Sequence, residues 1–313
     1  MRLVFMGTPD FAVPSLRALL ADGHRVAGVF TQPDRPRGRG HAVTFSPVKE
    51  LAAAHGIPVF QPETFRDGAA AETLRALAPD LIAVVAYGRI LPRSVLEIPP
   101  VGCVNLHASL LPKYRGAAPI QWAVVNGETE TGVTTMHMAP SLDSGDIIYA
   151  ESVSIGPDET AAALQERLML LGASLLARTV RSLAEGAAPR TPQDDAGASF
   201  APLLRREDGR IDWRAGARQV CCLVRGMQPW PLARAGREAW KIYAARETGR
   251  RGDGAPGDVV GVGPAGLEVL CGDGYTVLVT ELQAGGSRRM AAADYARGHA
   301  VPPSLRGGEE GKP

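Results

Sequence analysis

The stretches DLIAVVAYG (80–88) and GCVNLHAS (102–109) decide the fold. The first runs from Leu81 to Ala86 without a polar residue. That is the pattern of a central strand covered on both faces of a parallel sheet. The second is a strand whose end turns polar. Toward the N-terminus lie a strand RLVFMG (2–7), an amphipathic run from Asp10 to Ala21, a second strand RVAGVFTQ (25–32), a long polar loop and a helix near 47–55. Toward the C-terminus, TGVTTMHMA (131–139) and GDIIYAESVSI (145–155) alternate more and predict a partly antiparallel pair. Residues 158–185 make the longest helix, with Asp158 and Glu159 suited to its first turn. Strands alternating with helices predict an α/β fold, an open, doubly wound and mostly parallel sheet.

The pattern then changes. GAAPRTPQDDAGASFAPLL (186–204) is rich in Pro and Gly, has little periodicity and reads as a linker. Beyond a helical stretch near 214–226 come EAWKIYAAR, GDVVGVG, GLEVLCGDG and YTVLVTELQ, short strand-like pieces cut by Gly and Pro. They have the composition of a small β-barrel. The expected division is a first domain at 1–188, a linker at 189–206 and a second domain at 207–313.

The chain has 313 residues, 45% hydrophobic and 21% charged, which fits one large or two medium globular domains. No apolar run approaches the roughly 20 residues of a membrane span. The start MRLVFMGTPDF reads as a strand rather than a signal peptide, so a cytoplasmic location and no membrane partner are expected. Cys103, Cys221, Cys222 and Cys271 include no Cys-x-x-Cys pair, so neither a metal site nor a disulfide framework is expected. The net charge of +1 hides an asymmetry. Residues 1–204 hold 17 basic and 20 acidic side chains, a net of −3; residues 205–313 hold 17 and 13, a net of +4. The C-terminal part could therefore meet a phosphate backbone.

Ligands of a doubly wound sheet sit outside the carboxyl ends of its strands. Asn105 and His107 are two residues apart, so they share a side of their strand, near that end. The polar loop APSLDSGDII (139–148) adds Asp143 and Asp146, either of which could fix the tautomer of His107 or simply cap the loop. Amide, imidazole and carboxylate suit acyl transfer without a covalent intermediate: two stabilise an oxyanion and the third helps to move a proton. Ser109 lacks the Gly-x-Ser-x-Gly elbow of a nucleophile, and Gly7-Thr8-Pro9 is no dinucleotide fingerprint.

The run NLHASLLPKYRGAAPIQWAVVNGETETGVTTMHM, followed by LDSGDII, strongly resembles the folate-dependent formyltransferases. That resemblance implies Asn105, His107 and Asp143 as the catalytic trio and leaves Asp146 outside it. It implies 10-formyltetrahydrofolate as formyl donor and co-substrate, with no metal. Ser109, Leu110, Leu111 and Pro112 match the segment that contacts the folate. Tyr87 and Gly88 are expected as walls of the pterin pocket, on position alone. Asn105 and His107 would donate to the tetrahedral oxyanion; Asp143 would hold the imidazole and assist proton removal from the attacking amine.

The acceptor is read from TQPDRPRGRGHAVTFSPVK (31–49), which carries Arg35, Arg37 and Arg39. By composition this is either a solvated loop or an arm that touches nucleic acid. It closely resembles the inserted loop of the family members that act on initiator methionyl-tRNA, with Arg39 at the matching basic position. Gly40-His41-Ala42 stands where further lysines are expected. Lys49 is expected on a helix surface. GRIDWRAGARQVCCLVRGMQPWPLA (209–233) resembles the junction of the same members, and the remainder resembles their OB-like tRNA-binding barrel. Trp213 and Trp230 are expected to pack in a core or an interface rather than to stack on bases. The resemblance thus implies formylation of methionyl initiator tRNA for translation initiation. A monomer is expected, since the sequence shows no coiled coil or obvious exposed apolar stripe. Two alternatives stay open. One is a sugar-nucleotide amine formyltransferase with the same catalytic core. The other is a non-catalytic RNA-binding module, which would not need the trio.

Overall fold

The computed structural model describes residues 1–37, 42–236 and 240–307, without the side chains of 35–37 and 42–43. The chain divides into two compact units. The first comprises Met1–Pro119, Glu130–Ser154 and Gln165–Pro202; the second comprises Ile120–Thr129, Ile155–Leu164 and the chain from Leu203 onward.

In the first unit the strands are β1 (Arg2–Gly7), β2 (Arg25–Phe30), β3 (Arg35–Arg37), β4 (Ala42–Thr44), β5 (Val59–Phe60), β6 (Leu81–Val85), β7 (Gly102–His107), β8 (Arg115–Gly116), β9 (Glu130–His137), β10 (Ile147–Ser154) and β11 (Phe200–Ala201). Seven form one sheet in the order β10-β9-β7-β6-β1-β2-β5. Neighbours from β7 to β5 are parallel, whereas β9 and β10 join antiparallel. Every residue of β6 is buried, as a strand covered on both faces requires. The order reverses between β1 and β6, and such a switch point opens a crevice at the carboxyl ends of the strands. Thr8, Gln32, Tyr87 and His107 lie at or just beyond those ends.

The expected helices appear as Val13–Ala21, Pro47–Ala54 and Ala161–Ala184. Helix Ala69–Leu77, short and alanine-rich, went unread in the sequence. Residues 35–44 were expected as loop; β3 and β4 instead pair as an antiparallel ribbon. The segment read as a linker is hydrogen bonded within the first unit as far as Ala201. Thr191 exchanges backbone bonds with Ile147, and β11 pairs with β8.

The second unit holds β12 (Ala233–Ala235), β13 (Trp240–Arg251), β14 (Val259–Gly263), β15 (Gly266–Leu270), β16 (Tyr275–Gln283) and β17 (Met290–Ala291). They form an antiparallel sheet in the order β12-β13-β16-β15-β14, with β17 beside β16. Register shifts along β13 mark bulges, which bend a strand and increase its twist. One core joins this sheet to the helices Ala217–Gly226 and Ala292–Gly298 through Val220, Val224, Trp240, Val279 and Tyr295. Trp213 belongs to that core, and its indole N–H donates to the Leu305 carbonyl at 2.9 Å. Trp230 departs from the expected packing and is 55% exposed. No described helix is long and apolar enough to cross a membrane.

Candidate active site

Strand β7 places Asn105 opposite Val84 on one side and Met136 on the other, two residues before His107 at its end. Asn105 is half-buried. Its side-chain amide makes no hydrogen bond to another described residue. His107 is buried, at 6% exposure. Its Nε2 lies 2.9 Å from the Tyr114 carbonyl. A carbonyl only accepts, so Nε2 carries a proton. Its Nδ1 faces the Asp143 carboxylate at 3.7 Å, an ion-pair distance longer than a hydrogen bond. Asp146 is engaged elsewhere, 2.6 Å from Arg190 Nε. Of the two loop aspartates, Asp143 is the partner of the imidazole.

Asp143 sits at φ +47°, in the left-handed region that Asp tolerates better than most residues. Two residues on, Gly145 is required by space: a Cβ there would lie 1.7 Å from the His137 carbonyl oxygen. The Asp143 carboxylate accepts from the Gly116 N–H at 2.9 Å. Gln193 Nε2 donates to the carbonyls of Asp143 (2.9 Å) and Gly145 (2.7 Å). Gln193 Oε1 accepts from Arg115 Nε (3.1 Å) and Nη2 (2.8 Å). Ser199 holds the facing segment: its Oγ accepts from Tyr114 N–H at 2.9 Å and its carbonyl from Arg115 N–H at 2.8 Å. Tyr114, Arg115, Gly116, Gln193 and Ser199 were missed in the sequence. The two on the 186–204 stretch were hidden by a linker-like composition.

The Ser109–Pro112 segment is tied to β9. Thr134 Oγ donates to the Ser109 carbonyl at 2.7 Å and accepts from Leu111 N–H at 3.2 Å. The Ser109 hydroxyl is fully buried and donates to the Lys113 carbonyl at 2.6 Å. The leucine at 110 lies over Gly132, where a Cβ would come within 2.6 Å of it.

Tyr87 departs from the expected pocket wall. Its ring lies in the core between β6 and helix Ala69–Leu77, edge-on to Phe65. Its hydroxyl is buried with no partner among the described residues, and burial pushes the phenol up to about 12. Only its backbone serves the strand ends: its carbonyl accepts from Thr8 Oγ (3.2 Å) and Gln32 Nε2 (3.1 Å), and the Gly88 carbonyl also accepts from Gln32 Nε2 (3.1 Å).

Lys49 is likewise no free surface lysine. It pairs with Asp34, donates to Gln61 Oε1 at 2.9 Å and lies 4.0 Å over the Phe45 ring. The hydrogen bond from Lys49 holds the Asp34 carboxyl below its usual range. Arg35 and Arg37 lie on β3. Arg39 falls outside the described residues.

A buried imidazole faces a carboxylate, and an amide with no partner among the described residues lies on the same strand of a doubly wound sheet, an arrangement whose chemistry suits acyl transfer. The comparisons with known proteins narrow it. The formyl transferase family model matches residues 1–180, and the formyl transferase C-terminal domain model matches 203–300. The chain belongs to the formyl transferase family, in its methionyl-tRNA formyltransferase branch. A methionyl-tRNA formyltransferase of Moorella thermoacetica is 53% identical over 306 residues, covering 97% of this chain and 98% of the relative. One of Geotalea uraniireducens is 50% identical over 305 residues, covering 97% and 96%. The crystal structure of an N-formyltransferase from Helicobacter canadensis, in complex with folinic acid and dTDP-3-aminofucose, shares the fold. Its TM-score is 0.70 at 18% identity, over 88% of this chain and 98% of that one.

Proposed function

We propose that this protein transfers the formyl group of 10-formyltetrahydrofolate to the amino group of methionyl initiator tRNA. The observation that carries this reading is the open amide of Asn105 beside the His107–Asp143 pair, in a chain about half identical to the methionyl-tRNA formyltransferases. The acceptor amine attacks the formyl carbon, and its new C–N bond replaces the bond to the donor's nitrogen. The proton lost by the amine ends on that leaving nitrogen. Asn105 donates a hydrogen bond to the oxygen as it gains charge. With Nε2 committed to Tyr114, Nδ1 is the atom of His107 left to exchange a proton, and Asp143 sits beside it. Ser109–Pro112 and Gly88 border the folate. Arg35, Arg37 and Arg39 meet the tRNA backbone, and residues 207–313 contribute a second tRNA-binding surface from a cytoplasmic monomer.

The test is to incubate the protein with 10-formyltetrahydrofolate and either methionyl initiator or methionyl elongator tRNA, then to measure formyl-methionine after base hydrolysis. Formylation of the initiator alone is the expected result. Folate binding without formylation of either tRNA would move the acceptor to an amine such as a sugar nucleotide's.

A further inference from the structure

We propose that Gln193 is a positioning residue for formyl transfer: its carboxamide holds the Asp143 loop so that the carboxylate meets His107. The inference rests on the function proposed above. It starts from a complete set of hydrogen bonds. A carboxamide has two N–H donors and one oxygen with two lone pairs. In Gln193 both sides are used, the nitrogen on the carbonyls of Asp143 and Gly145 and the oxygen on Nε and Nη2 of Arg115.

These bonds close a ring. Arg115 is followed in the chain by Gly116, whose N–H donates to the Asp143 carboxylate. Asp143 is thus gripped at both ends, its backbone carbonyl by Gln193 and its side chain by the neighbour of the arginine that Gln193 holds. Tyr114, on the other side of Arg115, supplies the carbonyl that orients His107. One three-residue segment therefore carries the acceptor for the imidazole, the guanidinium for Gln193 and the amide for Asp143.

The grip is needed because the loop is unfavourable by itself. Asp143 has a positive φ, which costs a non-glycine residue and persists only where the surroundings enforce it. Arg115 is buried at 6% exposure, so its guanidinium must be matched. Gln193 matches its Nε, and with Asp195 its Nη2. A neutral amide does this without placing a second negative charge beside Asp143. A carboxylate at 193 could still hold Arg115, but it could not donate to the two carbonyls.

The test uses Gln193→Leu and Gln193→Glu in the full-length protein, each also combined with Asp143→Asn. Loss of the grip is expected to lower kcat by ~10- to 100-fold, the cost of a reacting group displaced by about an ångström, with KM for folate and tRNA within about threefold. In the Asp143→Asn background the same changes should cost less than about threefold, because coupled residues are not additive. Amide exchange gives a readout independent of catalysis: the Gly116 N–H should lose protection in both Gln193 variants. Near-normal kcat for either variant would overturn the proposal. So would an equal loss with and without Asp143, or unchanged Gly116 exchange. If Gln193→Leu does not fold, Gln193→Glu, which keeps the bond to Arg115, carries the comparison alone. If the wild type formylates nothing, the functional reading fails, while exchange at Gly116 still decides whether Gln193 holds the loop.

Discussion

Asn105 and Gln193 are both side-chain amides of the first unit, and its hydrogen bonding uses them in opposite ways. Asn105, on the central strand β7, has no partner among the described residues. Gln193, itself in neither helix nor strand, uses every donor and acceptor it has. An unmade hydrogen bond on a half-buried amide is a cost that a ligand can recover, whereas a complete set belongs to the scaffold. Under the function proposed above, the contrast separates a group free to meet the substrate from one that holds the site in shape.

Removing the open amide should give the larger effect on turnover. Asn105→Ala is expected to lower kcat by about 10²–10³, the usual cost of one oxyanion donor. Its melting temperature should stay within a few degrees of the wild type, because no internal bond is lost. A large drop in melting temperature would show that Asn105 is scaffold after all, and the contrast would collapse.

Arg115→Met tests the scaffold side. The guanidinium is bonded to Gln193 and Asp195, so its loss leaves the Gln193 oxygen with an unmet acceptor. Leaving such a group unsatisfied costs about 1–3 kcal/mol. Stability should fall by that order in denaturant titration, and kcat about tenfold through the Asp143 loop. An unchanged midpoint would mean that the ring is dispensable.

What the sequence disclosed follows the same division. β6 and β7 were legible because strands buried on both faces must be apolar, and Asn105 and His107 stood out against that background. Spacing put Asn105 and His107 on one side of β7, while the family resemblance chose Asp143 over Asp146, and the catalytic role of the three is the proposal made above. Gln193 was not legible. A carboxamide in a Pro- and Gly-rich stretch has the composition of a solvated connector, and only the contacts show that it is pinned. Tyr87 failed in the other direction: its position after β6 suggested a pocket, but an aromatic ring gains more from burial among Phe65, Leu74 and Leu91. Lys49 reads as surface from helix position, and its ties to Asp34 and Gln61 come from elements distant in sequence.

The three arginines of 35–39 should matter less for turnover and more for binding. Arg35, Arg37 and Arg39, each changed to Ala, are expected to raise KM for tRNA about threefold to tenfold with little change in kcat. If each meets a phosphate, each substitution should also flatten the salt dependence of tRNA binding by about one in the slope of log K against log salt. An unchanged slope would mean that these arginines meet no phosphate.

The smallest expected effect concerns acid stability on the scaffold side of the contrast. Burial is the main cause that lowers the His137 pKa below 6.5, helped by Arg190 and opposed by Asp146. The unfolded chain therefore takes up a proton at a higher pH than the folded chain does. Its contribution to stability is fully present above pH 6.5, is lost as pH falls through the lowered folded value, and changes no further below it. His24 is shifted in the same direction, mainly by burial, so two groups contribute to the acid limb. His137 differs in position, because its backbone N–H donates to the Asp146 carbonyl at 2.9 Å and its own carbonyl packs against Gly145. Acid weakening there reaches the loop that Gln193 grips, while the Asn105 amide does not titrate. Melting temperatures of the wild type and His137→Gln between pH 7.5 and 5 should converge toward the acid end, since the variant lacks one of the two titrations. Parallel curves would leave His24 and the carboxylates as the source of the acid limb.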